Sequence, residues 1–223
     1  MNLPQELSYP HLRDIFHSCD DLGLWCFDRD PEVSCVNATA KCLVDCYMIK
    51  MRRMFKAIGP RRKMDEIRFH LLTGPIMRHF LARMKKTKHG GDKFRWASDG
   101  DPCATVADVY RMAGIARATP LTKHWIPTKG HRNPRVREAL KRLLRWIPNV
   151  RLMASIDTST TQEEVNALVA EGFSTMFFGD DEASPQPSPV KCAKTWKGIH
   201  EHCRVCKVGC FKAGRVDVWL KEH

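Results

Sequence analysis

The first 180 residues alternate between short apolar segments and longer segments with helical periodicity, and this alternation constrains the fold more than any other feature. The apolar segments have the length and composition of β-strands. The predicted strands are residues 22–27, 93–97, 122–127, 150–156 and 173–178. The predicted helices are residues 41–57, 65–86 with an interruption at Gly74-Pro75, 106–118, 134–146 and 161–171. Strands that alternate with helices at this spacing predict an α/β fold with parallel strands and right-handed connections.

The number of strand–helix units is too small for a closed eight-stranded barrel, which typically has ~250 residues. About five or six units fit before residue 181. We therefore predict a partial or compact (β/α) barrel, or an open parallel sheet. In either architecture the chemistry is expected at the carboxyl ends of the strands, where loops from several units meet.

The chain is predicted to have a body and a short tail. Residues 1–180 form the barrel-like body, and residues 190–223 form a cysteine-rich, metal-binding tail. Between them, residues 181–189 read DEASPQPSP. Prolines and acidic residues in this density are typical of an exposed linker.

The chemistry expected of the ten cysteines depends on the compartment in which the protein is found. No run of about 18 apolar residues predicts a membrane span, and the amino-terminal residues lack the pattern of a secretory signal. We therefore expect a cytoplasmic protein without a membrane partner. Disulfides are rare in a reducing compartment, so clustered thiols there favour metal binding or redox chemistry.

The first thiol cluster directly follows the first predicted strand and consists of Cys35, Cys42 and Cys46. The last two are four residues apart at the start of a predicted helix, so they are expected on one helix face. Three thiolates can bind three irons of a [4Fe–4S] cluster and leave the fourth iron open, or can bind zinc with one further ligand. The sequence leaves both open.

The second thiol cluster lies in the tail, where Cys203 and Cys206 can chelate one metal from a single turn. Cys210 and Cys192 would supply the third and fourth ligands. Four thiolates suit either a structural zinc or an iron–sulfur cluster, and the spacing does not decide between them.

Polar residues follow the other predicted strands at the edge where chemistry is expected. They are Asp99, Gly100, Asp101, Lys129, Ser155 and Asp157. The carboxylates are candidate catalytic groups, since a carboxylate can bind a substrate hydroxyl or amine, exchange a proton or act as a nucleophile. Turn formation and helix capping are the alternative roles for these residues.

The charge of the chain favours a polyanionic partner. The formal net charge is +12, and the excess is concentrated in residues 50–63, 78–93 and 132–145. The residues predicted to face phosphates are Arg52, Arg53, Arg61, Arg62, Lys85, Lys86, Arg135 and Arg142. Counterion release makes nucleic acid the favoured partner, with DNA first, bound through its backbone and not its bases. A solvated basic surface is the alternative.

The order of these features resembles that of the radical S-adenosylmethionine enzymes. Three cysteines after the first strand precede an aromatic residue, here Tyr47, and a glycine–acid–proline turn follows the second strand at residues 100–102. A serine–aliphatic–aspartate stretch on the fourth strand matches Ser155 to Asp157, and the tail is similar to extensions that hold auxiliary clusters. The resemblance implies a [4Fe–4S] cluster on the first thiol cluster. It also implies an S-adenosylmethionine site that includes Gly100, Asp101, Ser155 and Lys129.

The chain also resembles a phage family known as gene product eighty-eight. The likeness lies in C-x6-C-x3-C-Y, in Tyr110 on the helix after the GD turn, in S-I-D, and in the terminal C-x10-C-x2-C-x3-C-F. The resemblance implies a phage or prophage origin, and hence the host cytoplasm. It implies no particular activity.

Three function hypotheses follow. The first, which we favour, is an iron–sulfur enzyme of radical S-adenosylmethionine-like architecture that acts on nucleic acid or a nucleotide. The second is a zinc-containing barrel that modifies DNA or RNA bases, similar to the guanine and deazaguanine transglycosylases, with Asp99, Asp101 and Asp157 as candidate catalytic residues. The third is a non-enzymatic DNA-binding protein that metal only stabilises.

Overall fold

A computed structural model describes residues 16–19, 22–179, 184–187, 189–192, 195, 203, 206, 209–211 and 214–221. Its centre is one eight-stranded, mostly parallel sheet. The strands are β1 (His17–Cys19), β2 (Leu24–Phe27), β3 (Lys93–Trp96), β4 (Lys123–Thr128), β5 (Val150–Asp157), β6 (Ser174–Phe178), β7 (Val190–Lys191) and β8 (Asp217–Leu220). Their order across the sheet is β1-β2-β3-β4-β5-β6-β8-β7, and β1 is antiparallel to β2 whereas the other pairs are parallel.

Helices connect the successive parallel strands. They are α1 (Pro31–Ser34), α2 (Ala40–Asp45), α3 (Tyr47–Met54), α4 (Ile58–Leu71), α5 (Gly74–Met84), α6 (Val106–Ala118), α7 (Pro134–Trp146) and α8 (Gln162–Ala170), with a 3-10 turn at Gly130–Arg132. Within the described parts of the chain, no helix combines the length and the apolar character that crossing a membrane would require.

The predicted α/β fold with parallel strands is confirmed. The five predicted strands are β2 to β6, and the helices predicted at residues 106–118 and 134–146 have those bounds in the structure. The helix predicted over residues 41–57 is wrong in one respect, because the chain is extended at Cys46 and the segment forms α2 and α3. The helix predicted over residues 65–86 begins earlier, at Ile58, and is divided before Gly74 as expected.

The main hydrophobic core lies between the sheet and α4 to α8. Phe27, Trp96 and Ile156 of the strands pack there with helix residues such as Met77 and Leu140. When neighbouring parallel strands are joined by right-handed connections, their connecting helices lie on the same side of the sheet. The sequential order of β2 to β6 therefore explains why the helices cover one face. We call it the helix face.

A smaller apolar cluster covers the opposite face of the sheet. Cys26, Trp125, Met153 and Met176 of the strands lie there with Phe211 of the tail. The rings of Trp125 and Phe211 meet edge to face with centroids 5.7 Å apart. The tail therefore packs on the face that the helices leave open.

The tail is also part of the sheet, since β8 lies between β6 and β7. The buried Asp217 of β8 accepts hydrogen bonds from the backbone and hydroxyl of Thr175 in β6. Gln186 of the predicted linker is buried and donates to Val218 and Thr175. Residues 181–183 and 188 of that linker and much of the tail lie outside the described residues.

The turn after β3 passes very close to the turn after β2, and Gly100 makes this approach possible. Gly100 has φ +76°, and an added Cβ would lie 2.6 Å from Ser34 Oγ and 2.8 Å from the Arg29 carbonyl oxygen. We expect Gly100→Ala to lower the free energy of unfolding by about 2 kcal/mol or more, through backbone strain and the clash. Urea denaturation measures this change.

Gly114→Ala in α6 is the matched control, because its added Cβ meets no atom within 4 Å. Helix propensity predicts a gain of up to about 1 kcal/mol there. Equal effects of the two substitutions would contradict the role assigned to Gly100.

Candidate functional site

A cleft lies at the carboxyl ends of β3, β4 and β5 and has a volume of about 150 Å³. Its lining combines thiols, cations and polar groups from five separate segments. Among the lining residues are Cys35, Cys42, Arg95, Gly100, Lys129 and Ser155. Four of the six predicted strand-end residues, all except Asp99 and Asp157, thus line the cleft together with two of the three cysteines of the first cluster.

Helix caps position the three thiols of the first cluster. Cys35 ends α1, and its N–H donates to the Pro31 carbonyl oxygen. Cys42 lies in the first turn of α2, where its N–H donates to the capping Thr39 hydroxyl at 3.0 Å. Cys46 ends α2 and begins α3.

Burial controls the protonation of these thiols. Burial raises the pKa of Cys35 to about 12, and the nearby Asp101, Cys42 and Cys46 raise it further in the same direction. Burial also raises the pKa of Cys42, with Cys46 again acting in that direction. The three thiols are thus electrostatic neighbours, and without a metal the Cys35 and Cys42 thiols are protonated at neutral pH. A bound metal would have to displace these protons.

The described residues contain no set of three or more His, Cys, Asp or Glu side chains arranged to hold a single metal ion.

Asp157 connects the thiol segment to the strand ends. Its carboxylate accepts hydrogen bonds from Thr39 Oγ1 at 2.6 Å and from Lys129 Nζ at 2.8 Å. Burial opposes its ionisation, but the Lys129 ammonium and hydrogen bonds from Ser159 and Thr39 outweigh burial and hold its pKa well below the usual range. Asp157 is therefore ionised and fixes both the capping residue of α2 and the Lys129 side chain.

Asp101 lies at the bottom of the same region with both carboxylate oxygens occupied. One accepts from Cys103 N–H and Thr128 Oγ1, and the other accepts from Lys129 N–H at 2.7 Å. Complete burial raises its pKa, whereas these hydrogen bonds act in the opposite direction. The contacts of Asp101 hold the β4 end in place.

Asp99 belongs to a neighbouring cluster of charges. It accepts hydrogen bonds from the Tyr47 hydroxyl and from Arg62. Burial and the adjacent Asp28 raise the pKa of Asp99, while Arg62 lowers it. Arg62 pairs with both carboxylates, at 2.8 Å from Asp28.

Arg29 is a buried residue that the sequence interpretation missed. Its guanidinium pairs with Glu66 of α4 and Asp108 of α6, and donates to the Asp101 carbonyl oxygen at 3.2 Å. It also stacks on Phe69, 4.1 Å from the ring centroid. The sequence contains one clue, since the charged Asp28-Arg29-Asp30 directly follows an apolar strand.

The second thiol cluster is also a group of neighbours. Burial raises the pKa of Cys210 to about 12, and the nearby Cys203, Cys192 and Cys206 raise it too. Cys192, Cys203 and Cys210 pack beside the apolar cluster on the opposite face of the sheet.

The predicted phosphate-facing residues divide into two groups. Arg52 and Arg62 neutralise carboxylates of the protein itself, with Arg52 2.7 Å from Asp30. The others have exposed side chains, and they are Arg53, Arg61, Lys85, Lys86, Arg135 and Arg142.

The fold and the site define an α/β protein with a mostly parallel sheet and a thiol-lined cleft at its carboxyl edge. Residues 13–215 match the model of a protein family described as Gene product 88. The chain belongs to this family. No curated protein and no solved structure matches it.

We expect Asp157→Asn to lower the free energy of unfolding by about 2 kcal/mol or more at pH 7, since Lys129 loses its counter-charge. The folded-state pKa of Asp157 lies below the unfolded value near 4. The stabilisation is therefore fully present above about pH 4 and is lost as the pH falls through the folded-state pKa. Urea denaturation at several pH values measures this.

Glu138→Gln provides the control, because Glu138 is exposed and its ion pair with Lys141 lies at the surface. We expect it to change stability by less than about 1 kcal/mol. An Asp157→Asn protein as stable as the wild type at pH 7 would rule out the role given to Asp157.

Proposed function

We propose that this protein is an iron–sulfur enzyme whose reactive cluster is held by Cys35, Cys42 and Cys46 at the mouth of the cleft. The observation that carries the proposal is the gathering of three thiols beside a cleft at the carboxyl edge of a parallel sheet. Open α/β sheets bind ligands at this edge.

The arrangement of the thiols supports a cluster over zinc. A zinc ion needs its ligands directed at one point, about 2.3 Å from each sulfur. An iron–sulfur cluster takes each thiolate on a different iron, so its cysteines are neighbours that do not converge. The mutual electrostatic effects of the three thiols are those expected of such neighbours.

The chain's own residues would prepare such a cluster for chemistry. A [4Fe–4S] cluster on three cysteines supplies one-electron chemistry and an iron with an open position. Asp157 and Thr39 would fix the α2 segment that carries Cys42. Lys129 would place a positive charge near the thiolates, since its charge already opposes the effect of burial on the pKa of Cys42.

We propose further that the sheet is a partial (β/α) barrel similar to that of the radical S-adenosylmethionine enzymes, with S-adenosylmethionine as the cosubstrate. The sequential order of β2 to β6 supports this architecture. So does the position of the thiols after β2, of Gly100 after β3, and of Ser155 in β5 beside the cleft.

The substrate we propose is nucleic acid, with DNA first. Helices α3 and α4 directly follow the thiol segment and expose Arg53 and Arg61 to solvent. Phe55, in the connection between these two helices, is 53% exposed. Exposed cations next to an exposed aromatic ring suit a phosphate backbone with unstacked bases.

The tail cysteines would form a second metal site, as zinc or as an auxiliary cluster. Their mutual proximity supports one site for Cys192, Cys203, Cys206 and Cys210. Base exchange at a zinc-containing barrel has less support, because it needs a carboxylate free to attack. Asp99, Asp101 and Asp157 each already accept hydrogen bonds from cations or backbone groups.

The first test is the iron, sulfide and zinc content of anaerobically purified protein, with a visible spectrum. We expect iron with matching sulfide. Cys42→Ser should remove one cluster's share of iron and sulfide and leave the metal of the tail. Cys19→Ser, outside both thiol clusters, should change neither content. Zinc alone in the wild-type protein would refute the cluster.

The second test concerns nucleic acid. We expect Arg53→Glu combined with Arg61→Glu to weaken DNA binding for all sequences and to reduce the salt slope of the binding constant by about 2. Fluorescence anisotropy at several salt concentrations measures both changes. Arg117→Glu with Lys123→Glu is the charge-matched control, since both residues are exposed near the amino ends of the strands. Binding that does not depend on salt would contradict this partner.

A further inference from the structure

Arg95 is a charged side chain to which the proposed function gives no role. It lies in β3 between Phe94 and Trp96, which are buried in the core of the helix face. Because side chains alternate along a strand, Arg95 lies on the opposite face, in register with Cys26 of β2 and Trp125 of β4. Its guanidinium carbon is 4.9 Å from the centroid of the Trp125 ring.

The positive charge of Arg95 lacks a counter-charge within the described part of the chain. Its Nε atom is buried and has no hydrogen-bond partner there. The contrast with Arg29 is direct, since Arg29 pairs with two carboxylates in a similar setting. A partly buried guanidinium without a partner carries a desolvation cost that a bound anion would remove.

Arg95 and Lys129 both line the cleft, but of the two only Lys129 forms an ion pair within the described part of the chain. Lys129 is bound to Asp157 at 2.8 Å, and the two oxygens of Asp101 already accept hydrogen bonds. The Arg95 guanidinium is therefore the cation of this pair that remains available to an anionic ligand. Stacking on Trp125 restricts the plane of this guanidinium, which orients its donors in advance.

We propose that the cleft binds a small organic acid whose carboxylate pairs with Arg95. A single free guanidinium matches a monoanion with two coplanar oxygens, whereas a phosphate dianion would call for a second free cation. The volume of about 150 Å³ suits a small ligand. Pro127 and Met176 offer an apolar surface for its body, beside Cys35 and Cys42.

This inference rests on the proposed function in one respect, which is that the organic acid takes part in a reaction at the thiols. The binding of the carboxylate itself requires no cluster. Metal analysis tests the cluster, and a thiol-labelling experiment on the full chain tests the carboxylate site, so the two can fail separately.

The experiment compares iodoacetate with iodoacetamide, two alkylating reagents that differ in carrying a carboxylate or a neutral amide. Both are applied at pH 8.5 to the full chain after treatment with a chelator, and labelling of Cys35 and Cys42 is followed by peptide mass spectrometry. The same two reagents are also applied to glutathione, whose thiol gives the intrinsic ratio of the iodoacetate rate to the iodoacetamide rate. We expect the ratio at Cys42 to exceed that of glutathione about tenfold or more, the effect of one charge-assisted hydrogen bond. The iodoacetate rate should saturate with concentration.

Arg95→Met should return the ratio to the glutathione value. Arg151→Met is the control, since Arg151 lies in β5, is bonded to the Pro148 and Val150 carbonyl oxygens, and is not in the cleft. Acetate should slow labelling of the wild-type protein by iodoacetate, and this competition does not depend on a folded variant. A wild-type ratio equal to that of glutathione would overturn the proposal. Stronger competition by inorganic phosphate than by acetate would overturn the choice of a carboxylate.

Discussion

The buried Arg29 guanidinium is the interaction on which the carboxyl edge of the sheet depends. It joins the end of β2 to Glu66 of α4, to Asp108 of α6 and to the backbone after β3. Its side chain is 3% exposed, so removing Arg29 would leave the buried Glu66 and Asp108 carboxylates without this counter-charge. Such losses typically cost about 3–5 kcal/mol. The loops that form the cleft are therefore held by charge pairs within the protein and not by apolar packing alone.

Charge pairs within the protein also hold other residues at the carboxyl edge of the sheet. Asp28 and Asp99 share Arg62, and Asp157 joins Lys129 to the cap of the helix that carries Cys42. The strand-end carboxylates that look available in the sequence are thus already bonded in the structure. Within the described part of the cleft, the thiols and the Arg95 guanidinium form no ion pair, and the proposals for the cleft concentrate on them for this reason.

Local sequence determined much of this fold. Helix α6 could be predicted to the residue because Thr105 and Asp108 form a capping box, and α7 because Asn133 caps a helix that starts with Pro134. The extended backbone at Cys46 could not be predicted, since neither glycine nor proline marks it.

The candidate site was predictable only as a list of strand-end residues. Their partners lie far away in sequence, as Thr39 and Asp157 do at a separation of 118 residues, and only the folded sheet selects such pairs. Arg95 was overlooked because a basic residue that alternates with Phe94 and Trp96 resembles an ordinary surface position until the covering of both faces is known.

The position of β8 has a consequence for the order of folding. Strand β7 precedes β8 in the chain, yet among the described strands it pairs with β8 alone, which separates it from β6. During synthesis β2 to β6 can assemble in sequence, each on its predecessor, while β7 has to wait until residues 217–220 have left the ribosome. Cys192 directly follows β7, and its N–H donates to the carbonyl oxygen of Trp219 in β8. The backbone of Cys192 in the second thiol cluster is therefore fixed only after translation of β8, and loading of the proposed metal site in the tail would be a late step in maturation.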